Sequence, residues 1–238
     1  MAAQAAPGDP FSAASPVVFI AQGTPSQLQR AETTGSGEFA FTPEGAPGPV
    51  SYNAIGYRPA DGYLYGMVNG GATAALPLGS LVRVGQDGVV TRVGTQIYTH
   101  PATGSTRFFA GAFNPTNGLY YISDSTPNTT VRAINVTTGA IVQTFTMNFP
   151  PDVQDFTFAN GYAWGATATG GIRRFDFAAG TYTTYPAIIP PGANVEFDED
   201  ERTVSSARFS IPPEGLGKGQ WLTSHGEIRT TACESREP

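Results

Sequence analysis

The stretch NAIGYRPADGYLYG, residues 53–66, decides the fold because its pattern recurs along the chain. A second copy, FAGAFNPTNGLYYI at residues 109–122, matches it position for position, including the proline and the turn glycine. A third copy, QDFTFANGYAWG at residues 154–165, has a turn that is two residues shorter. Each copy predicts a strand, a tight turn and a second strand, because Asp-Gly and Asn-Gly pairs supply the positive φ of short hairpins.

A second hairpin follows each copy, so every unit contains four strands. Apolar and polar residues alternate on both arms of these hairpins, as half-buried strands require. The turn glycines of the three copies, Gly62, Gly118 and Gly161, are 56 and 43 residues apart. Four strands per about 40–50 residues is the period of β-propeller blades. The second hairpins lie at residues 80–93, 130–145 and 171–185.

Each strand of a unit has a predicted place in such a blade. The first strand carries small residues and suits the innermost position, whereas the aromatic second strand is expected to pack between blades. Residues 17–41 supply the second, third and fourth strands of a further unit that lacks its first strand. We expect residues 194–197 to supply that strand and to close the ring, which removes exposed sheet edges. The prediction is an all-β propeller of four or five four-stranded blades, closed between its N- and C-terminal strands.

The chain divides into three predicted segments. Residues 1–12 are interpreted as a flexible leader and residues 13–197 as the propeller repeat domain. Residues 198–238 are interpreted as a divergent, partly ordered C-terminal tail or a final partial blade. An acidic run opens this tail at residues 198–201, and its lack of ordered ligand spacing favours a solvated loop over a calcium site.

The composition disfavours several classes of protein. The 238 residues include 29 Gly and 20 Pro, the poorest helix formers, which argues against a helix bundle. With 40% apolar and 11% aromatic residues the chain can build a core, so disorder is also disfavoured. The formal charge of −6 argues against a nucleic-acid surface, and no apolar run is long enough to span a membrane. The single cysteine, Cys233, excludes an intrachain disulfide.

Several phrases of the sequence resemble one family. They are PVVFIAQGTPSQL at 16–28, YNAIGY at 52–57, GAF at 111–113 and DFTFANGYAWG at 155–165. Together they resemble a propeller-like domain of unknown function that occurs in secreted and surface proteins, mainly actinobacterial ones. The resemblance covers roughly residues 10–190 and implies an extracellular module, with no established substrate, cofactor or catalytic residue. The chain departs from the family's pattern after about residue 192.

The sequence shows no catalytic motif, and four residues are candidates for ligand binding. Asp155 stands near the start of the third copy, where the other copies carry Ala54 and Ala110. Its carboxylate is therefore a candidate to hold a cation or an Arg in the channel, and a local hydrogen bond to a turn is the alternative. Arg174 belongs to an adjacent arginine pair whose side chains point to opposite faces of a strand. His100, in a loop between units, and Asn53, which opens the first copy, complete the set. No catalytic residue, metal ligand or cofactor is predicted.

These features favour an extracellular, non-catalytic binding or adhesion module that recognises its ligand with rim loops such as 69–77 and 123–130. The expected partners are a surface glycan or a protein ligand, without nucleic acid and without a membrane span. Ala3-Gln4-Ala5 is typical of the end of a signal-peptide cleavage site, although no signal peptide precedes it in this chain. The expected location is therefore extracellular or at the cell surface.

Two other functions stay open from the sequence. One is a structural subunit of a surface fibre or layer that assembles by strand exchange, because the incomplete first unit invites a donor strand. The other is a lyase or lactonase of the propeller type, with His100 and Asp155 as its acid–base pair. That function requires the two side chains to lie within about 10 Å of each other.

Overall fold

The computed structural model describes most of the chain between residues 6 and 185. The described residues are 6–11, 18–33, 39–99, 104, 106–124, 130–147, 153, 155–166 and 171–185, and also 209–210, 220–222 and 228–230. Their regular structure is β-sheet except for one 3₁₀ turn at Gln86–Gly88. The all-β prediction is therefore confirmed.

The described strands form antiparallel sheets in which neighbours in sequence are neighbours in space. Blade 1 has three strands, blades 2, 3 and 4 have four strands each, and a three-stranded sheet lies in the C-terminal tail. The arrangement is the predicted β-propeller. Blade 1 contains β1 (Val18–Gln22), β2 (Gln27–Thr33) and β3 (Phe39–Pro43); blade 2 contains β4 (Ser51–Arg58), β5 (Tyr63–Gly70), β6 (Ser80–Val84) and β7 (Val90–Ile97); blade 3 contains β8 (Phe108–Phe113), β9 (Tyr120–Asp124), β10 (Thr130–Asn135) and β11 (Ala140–Thr146); blade 4 contains β12 (Thr157–Ala159), β13 (Tyr162–Ala166), β14 (Ile172–Asp176) and β15 (Thr181–Tyr185); the tail sheet contains β16 (Phe209–Ser210), β17 (Gln220–Leu222) and β18 (Ile228–Thr230).

The hydrophobic core lies between successive blades, because each sheet turns one face towards each neighbour. Blades 1 and 2 bury a cluster that includes Phe19 and Tyr52. Blades 2 and 3 bury Tyr65 with Tyr120, and the cluster between blades 3 and 4 contains Tyr121. The aromatic residues of the second strands thus pack between blades, as the sequence predicted.

The first strand of each unit allows close packing because its residues are small. A Cβ atom on Gly56 would lie 3.2 Å from the Cα atom of Ala112 in the next blade. A Cβ atom on Gly111 would lie 2.0 Å from the carbonyl oxygen of Ala54, a distance that no side chain tolerates. The backbones of β4 and β8 therefore meet directly, which bears out the assignment of small residues to the crowded inner strands.

Of the two segments predicted to meet at the ring closure, the structure describes the N-terminal one. In the part of the chain that the structure describes, β1 pairs with β2 along one edge and has no strand on its other edge. Blade 1 thus consists of the three strands that the sequence predicted for it. The segment expected to supply its missing strand, residues 194–197, lies outside the described residues, and so does the acidic run at 198–201.

Residues 6–11 belong to the segment interpreted as a flexible leader, and they lie against blades 1 and 2. The Phe11 side chain is buried, with its ring centroid 4.6 Å from that of Phe19. The backbone N–H of Phe11 donates to the carbonyl of Gly62 at 2.7 Å, and that of Gln86 donates to the carbonyl of Asp9 at 2.8 Å. This part of the leader is therefore tied to the propeller by a buried ring and by backbone hydrogen bonds.

Candidate functional site

Asp155, just before β12, joins the innermost strands of blades 3 and 4. Its carboxylate oxygen Oδ1 accepts the backbone N–H of Phe156 at 2.8 Å and that of Gly111 at 3.2 Å. Although the residue as a whole keeps part of its surface exposed, burial of its carboxyl group raises the pKa of Asp155 to about 8, against the opposing effect of these two hydrogen bonds. Asp155 thus combines the local hydrogen bond considered from the sequence with a second bond to another blade.

Asn53 makes the same kind of local bond on the innermost strand of blade 2. Its Oδ1 accepts the backbone N–H of Ala54 at 2.8 Å, and the side chain is buried. Ala54 has a φ of +57° at a bulge in the pairing of β4 with β5, and its carbonyl accepts a hydrogen bond from the hydroxyl of Tyr120. Since Gly111 packs on that same carbonyl, Asn53 and Asp155 both brace the contact of inner strands.

Arg174 lies away from these inner strands. It belongs to β14, the third strand of blade 4, and its guanidinium carbon lies 4.5 Å from the centroid of the Tyr162 ring. Its Nη2 also donates to the hydroxyl of Thr183 at 3.4 Å. The structure therefore does not bring Arg174 to Asp155. His100 lies outside the described residues, so its proposed pairing with Asp155 stays a prediction.

An open groove of about 440 Å³ lies between blades 3 and 4. It was not among the sites expected from the sequence. Its walls come from the ends of strands and from the turns that follow the first and third strands of a blade. The described lining residues are Asn114, Tyr121, Gln143, Phe145, Phe158, Asn160, Gly161, Tyr162, Ala163, Phe175, Asp176, Phe177 and Ala178.

Stacked aromatic rings form the floor of this groove. The ring of Tyr121 stacks on those of Phe145 and Phe177, with centroids 5.8 and 5.9 Å away. Phe158 meets Tyr121 edge to face at 4.8 Å. Tyr121, Phe145 and Phe158 stand on strands, and Phe177 lies in the turn after β14. Because these rings pack on one another, the floor is formed before any ligand binds.

Polar side chains form the rim. Three amides line the groove, and two of them, Gln143 and Asn160, are exposed. Amides offer hydrogen-bond donors and acceptors together, so they suit a ligand that has both. Asp176 supplies the one charged group among the described lining residues, and its Oδ1 accepts the backbone N–H of Ala179 at 3.0 Å.

The groove lies on the opposite edge of the blades from the loops that the sequence favoured. Loops 69–77 and 123–130 follow second strands, whereas Gly161 and Ala178 lie in turns that follow first and third strands. In an antiparallel sheet those two sets of connections lie at opposite ends. The sequence signal for the groove was weak, because its aromatic residues serve equally well as core and its turn residues are those of any tight hairpin.

Neither a metal centre nor a membrane helix is present in the described part of the chain. Its His, Cys, Asp and Glu residues form no group of three or more that could hold a metal ion. Within the same residues no helix has the length and apolar character needed to cross a bilayer.

The sequence matches one family, and the fold is similar to several solved structures. Residues 19–197 match a family described as a repeat of unknown function (DUF6923). No curated protein matches the chain in sequence. The chain is similar to Myxococcus xanthus glutaminyl cyclase, with 14% identity, a TM-score of 0.51 and coverage of 86% of this chain and 79% of the cyclase.

Two further structures are less similar. Dihydro-heme d1 dehydrogenase NirN has 14% identity and a TM-score of 0.48, and the match covers 91% of this chain and 41% of the dehydrogenase. A 6-phosphogluconolactonase-like protein from Bacteroides uniformis has 14% identity and a TM-score of 0.42, with coverage of 73% and 51%. The chain thus spans less than half of the dehydrogenase. Identity this low indicates the fold and not the activity.

Proposed function

The chain belongs to the family of repeats of unknown function that matches residues 19–197, and from this premise we propose that it is a non-catalytic binding module whose ligand lies in the groove between blades 3 and 4. The groove carries the proposal, because it combines a volume of about 440 Å³ with an aromatic floor and a polar rim. Ligand sites are typically concave and largely apolar, with a few polar groups that orient the ligand.

The chemistry of the groove favours binding over catalysis. Its titratable side chains among the described lining residues are Asp176, Tyr121 and Tyr162. The Tyr121 hydroxyl accepts a hydrogen bond from Nδ2 of Asn117 at 3.1 Å. General acid–base chemistry needs a proton donor and an acceptor placed on either side of the reacting bond. An amide-rich rim with one carboxylate supports recognition instead.

An extracellular or cell-surface location belongs to this proposal. It is supported by the resemblance of the repeat phrases to those of secreted and surface proteins. Cell fractionation of the source organism, with an antibody against the purified chain, tests this part of the proposal. Recovery in the cytoplasmic fraction alone would contradict it.

Asp155 supports a second candidate, a lyase or lactonase. Burial raises the pKa of its carboxyl to about 8, and a value near neutrality suits a general acid or base. Against this candidate, Asp155 accepts two backbone N–H groups and braces neighbouring strands, which is a structural role. A panel of lactones and uronic-acid oligosaccharides, followed by chromatography, tests for turnover. Activity that is lost in Asp155→Asn would favour the enzyme.

Arrays of immobilised peptides and glycans test the binding module. The wild-type chain is expected to bind a subset of one array, and Gln143→Ala is expected to weaken that binding, because Gln143 is an exposed amide of the rim. Equal binding by wild type and variant would show that the ligand binds outside this part of the groove. If the wild-type chain binds neither array, the proposal of a binding module is wrong.

A further inference from the structure

The repeat places an equivalent of the blade 3–4 groove between blades 1 and 2, and that equivalent is occupied. In blade 2 the pair Leu64 and Val84 links the second and third strands. In blade 4 the corresponding pair is Ala163 and Phe175, both of which line the groove. Gly62 and Gly161 precede these second strands in the same way, in the turns of their hairpins.

A peptide of the chain itself occupies the equivalent place. The backbone N–H of Gly8 donates to the carbonyl of Gln86 at 2.9 Å, and the N–H of Gln86 donates to the carbonyl of Asp9 at 2.8 Å. The Gln86 side chain donates from Nε2 to the carbonyl of Pro10 at 2.8 Å. In all three hydrogen bonds the group of residues 8–10 is a backbone group, and the Gln86 side chain donates to a backbone carbonyl.

Blade 4 differs from blade 2 in one position that decides how a peptide would fit. Gln86 lies two residues after Val84, and Phe177 lies two residues after Phe175. The Phe177 ring stacks on Tyr121, much as the Phe11 ring packs on Phe19 in the occupied junction. Phe177 of blade 4 therefore occupies the apolar position that Phe11, from outside the blades, occupies between blades 1 and 2. The outer part of the groove stays open.

We propose that the groove between blades 3 and 4 binds a short, extended peptide segment that is uncharged or basic. This inference rests on the proposed binding function and names its ligand. The bound segment lies across the Asp176–Phe177 turn as residues 8–10 lie across Gln86, and the rim amides of Gln143 and Asn160 hydrogen-bond to its backbone.

The charge of the groove sets the ligand's charge. Asp176 is the charged residue of the described lining, and no Lys or Arg is among those residues. A carboxylate repels an acidic segment and attracts a basic one. The floor rings pack on one another, so hydrogen bonds to the polar groups of the rim orient the ligand.

The test uses the full chain on an octapeptide array of acidic, neutral and basic sequences, together with a glycan array. Bound peptides are then titrated by fluorescence polarisation. Asn160→Gly and Gln143→Ala are each expected to weaken binding about tenfold, the effect of losing one well-placed hydrogen-bonding group. Asn160 has a φ of +51°, which glycine adopts readily, so this variant removes the amide and keeps the turn.

Gln96→Ala is the matched control, because Gln96 is also an exposed glutamine on the outer strand of a blade, here blade 2, and lies outside the groove. It is expected to leave the affinity unchanged. Asp176→Asn is expected to admit acidic peptides. Binding to glycans alone, weakened by the groove variants, would overturn the peptide inference and leave the binding module standing. Binding that no groove variant weakens, or no binding to either array, would overturn both.

Discussion

The carboxyl group of Asp155 makes the stability of the propeller depend on pH in a direction opposite to that of most acidic residues. Its pKa is raised from 3.8 to about 8 in the folded chain because the group is buried. The folded state then holds a proton that the unfolded state releases above about pH 4. Stability from this group is fully present below pH 4 and is lost as the pH rises to about 8.

The size of the effect follows from the shift. Each unit of difference in pKa is worth about 1.4 kcal/mol, so the free energy of unfolding falls by about that amount per pH unit across the window. Between pH 4 and pH 7 the loss is about 4 kcal/mol, a large part of the roughly 5–15 kcal/mol of a typical domain. Above pH 8 both states are ionised and the contribution becomes constant.

Urea unfolding of wild type and of Asp155→Asn at pH 4.5 to 8.5 measures this contribution. The asparagine amide oxygen can accept the same two N–H bonds but does not titrate. The free energy of unfolding of wild type, minus that of the variant, is therefore expected to fall by about 1.4 kcal/mol per unit up to pH 8. A difference that stays flat, or that rises with pH, would refute the reasoning.

Replacing a buried amide by a carboxyl tests the same effect of burial on stability at a second position. Asn53 is buried and accepts the N–H of Ala54 as Asp155 accepts that of Phe156. Asn53→Asp is therefore expected to add a second carboxyl whose burial destabilises the chain as the pH rises. If this variant instead gains stability above pH 5, burial is not the dominant influence at these inner strands.

Three further predictions concern packing and ring closure. Gly111→Ala is expected to lower the free energy of unfolding in urea by more than about 4 kcal/mol, because its Cβ would lie 2.0 Å from a neighbouring carbonyl oxygen. Gly70→Ala is the control and is expected to change this free energy by less than about 1 kcal/mol, because its Cβ would have an ordinary 3.5 Å contact. Phe11→Ala is expected to cost about 3 kcal/mol, since it empties a buried site, and an unchanged melting temperature would contradict this. A chain that ends at Phe197 is expected to melt at the temperature of the full chain, and a chain that ends at Tyr185 at a lower one, because the family repeat extends to residue 197. Equal melting of both would argue against closure by residues 194–197.

The sequence sufficed for the blades because their information is local. Turn glycines such as Gly62 and Gly118 adopt the positive φ that their hairpins need, and alternation fixes which face of each strand is buried. The small inner strands and the incomplete first blade followed from the same repeat. The hairpins depend on neighbours within one unit, and the crowding of the inner strands recurs at each repeat, so a single sequence contains both signals.

The candidate site depends instead on contacts between units, which the period does not encode. Asp155 was placed on an inner strand from the sequence, but its bond to Gly111 joins residues 44 positions apart in different blades. The groove likewise combines Gln143 of blade 3 with Asn160 and Asp176 of blade 4. The rotation between adjacent sheets decides which of these side chains meet, and it is set by the packing of the interblade cores.

One repeat position shows how the same scaffold yields different junctions. In the third strands of blades 2, 3 and 4, the residues Val84, Ile134 and Phe175 pair with equivalent residues of the second strands. Two places after them along the chain lie Gln86, Val136 and Phe177, respectively. Val136 and Phe177 are buried and complete their junctions from within the blade. Gln86 is polar, and the junction of blades 1 and 2 is completed by Phe11 from a separate segment, with the glutamine hydrogen-bonded to that segment's backbone. A junction that lacks its own apolar residue can therefore take both an aromatic ring and a backbone segment from a peptide, whereas the junction of blades 3 and 4 leaves only its outer part to a ligand. Phe177→Gln is expected to make the groove of blades 3 and 4 a closer copy of the occupied one. Its affinity for a peptide with the sequence of residues 5–12 should then rise above that of wild type, and the absence of any gain would show that the two junctions are not interchangeable.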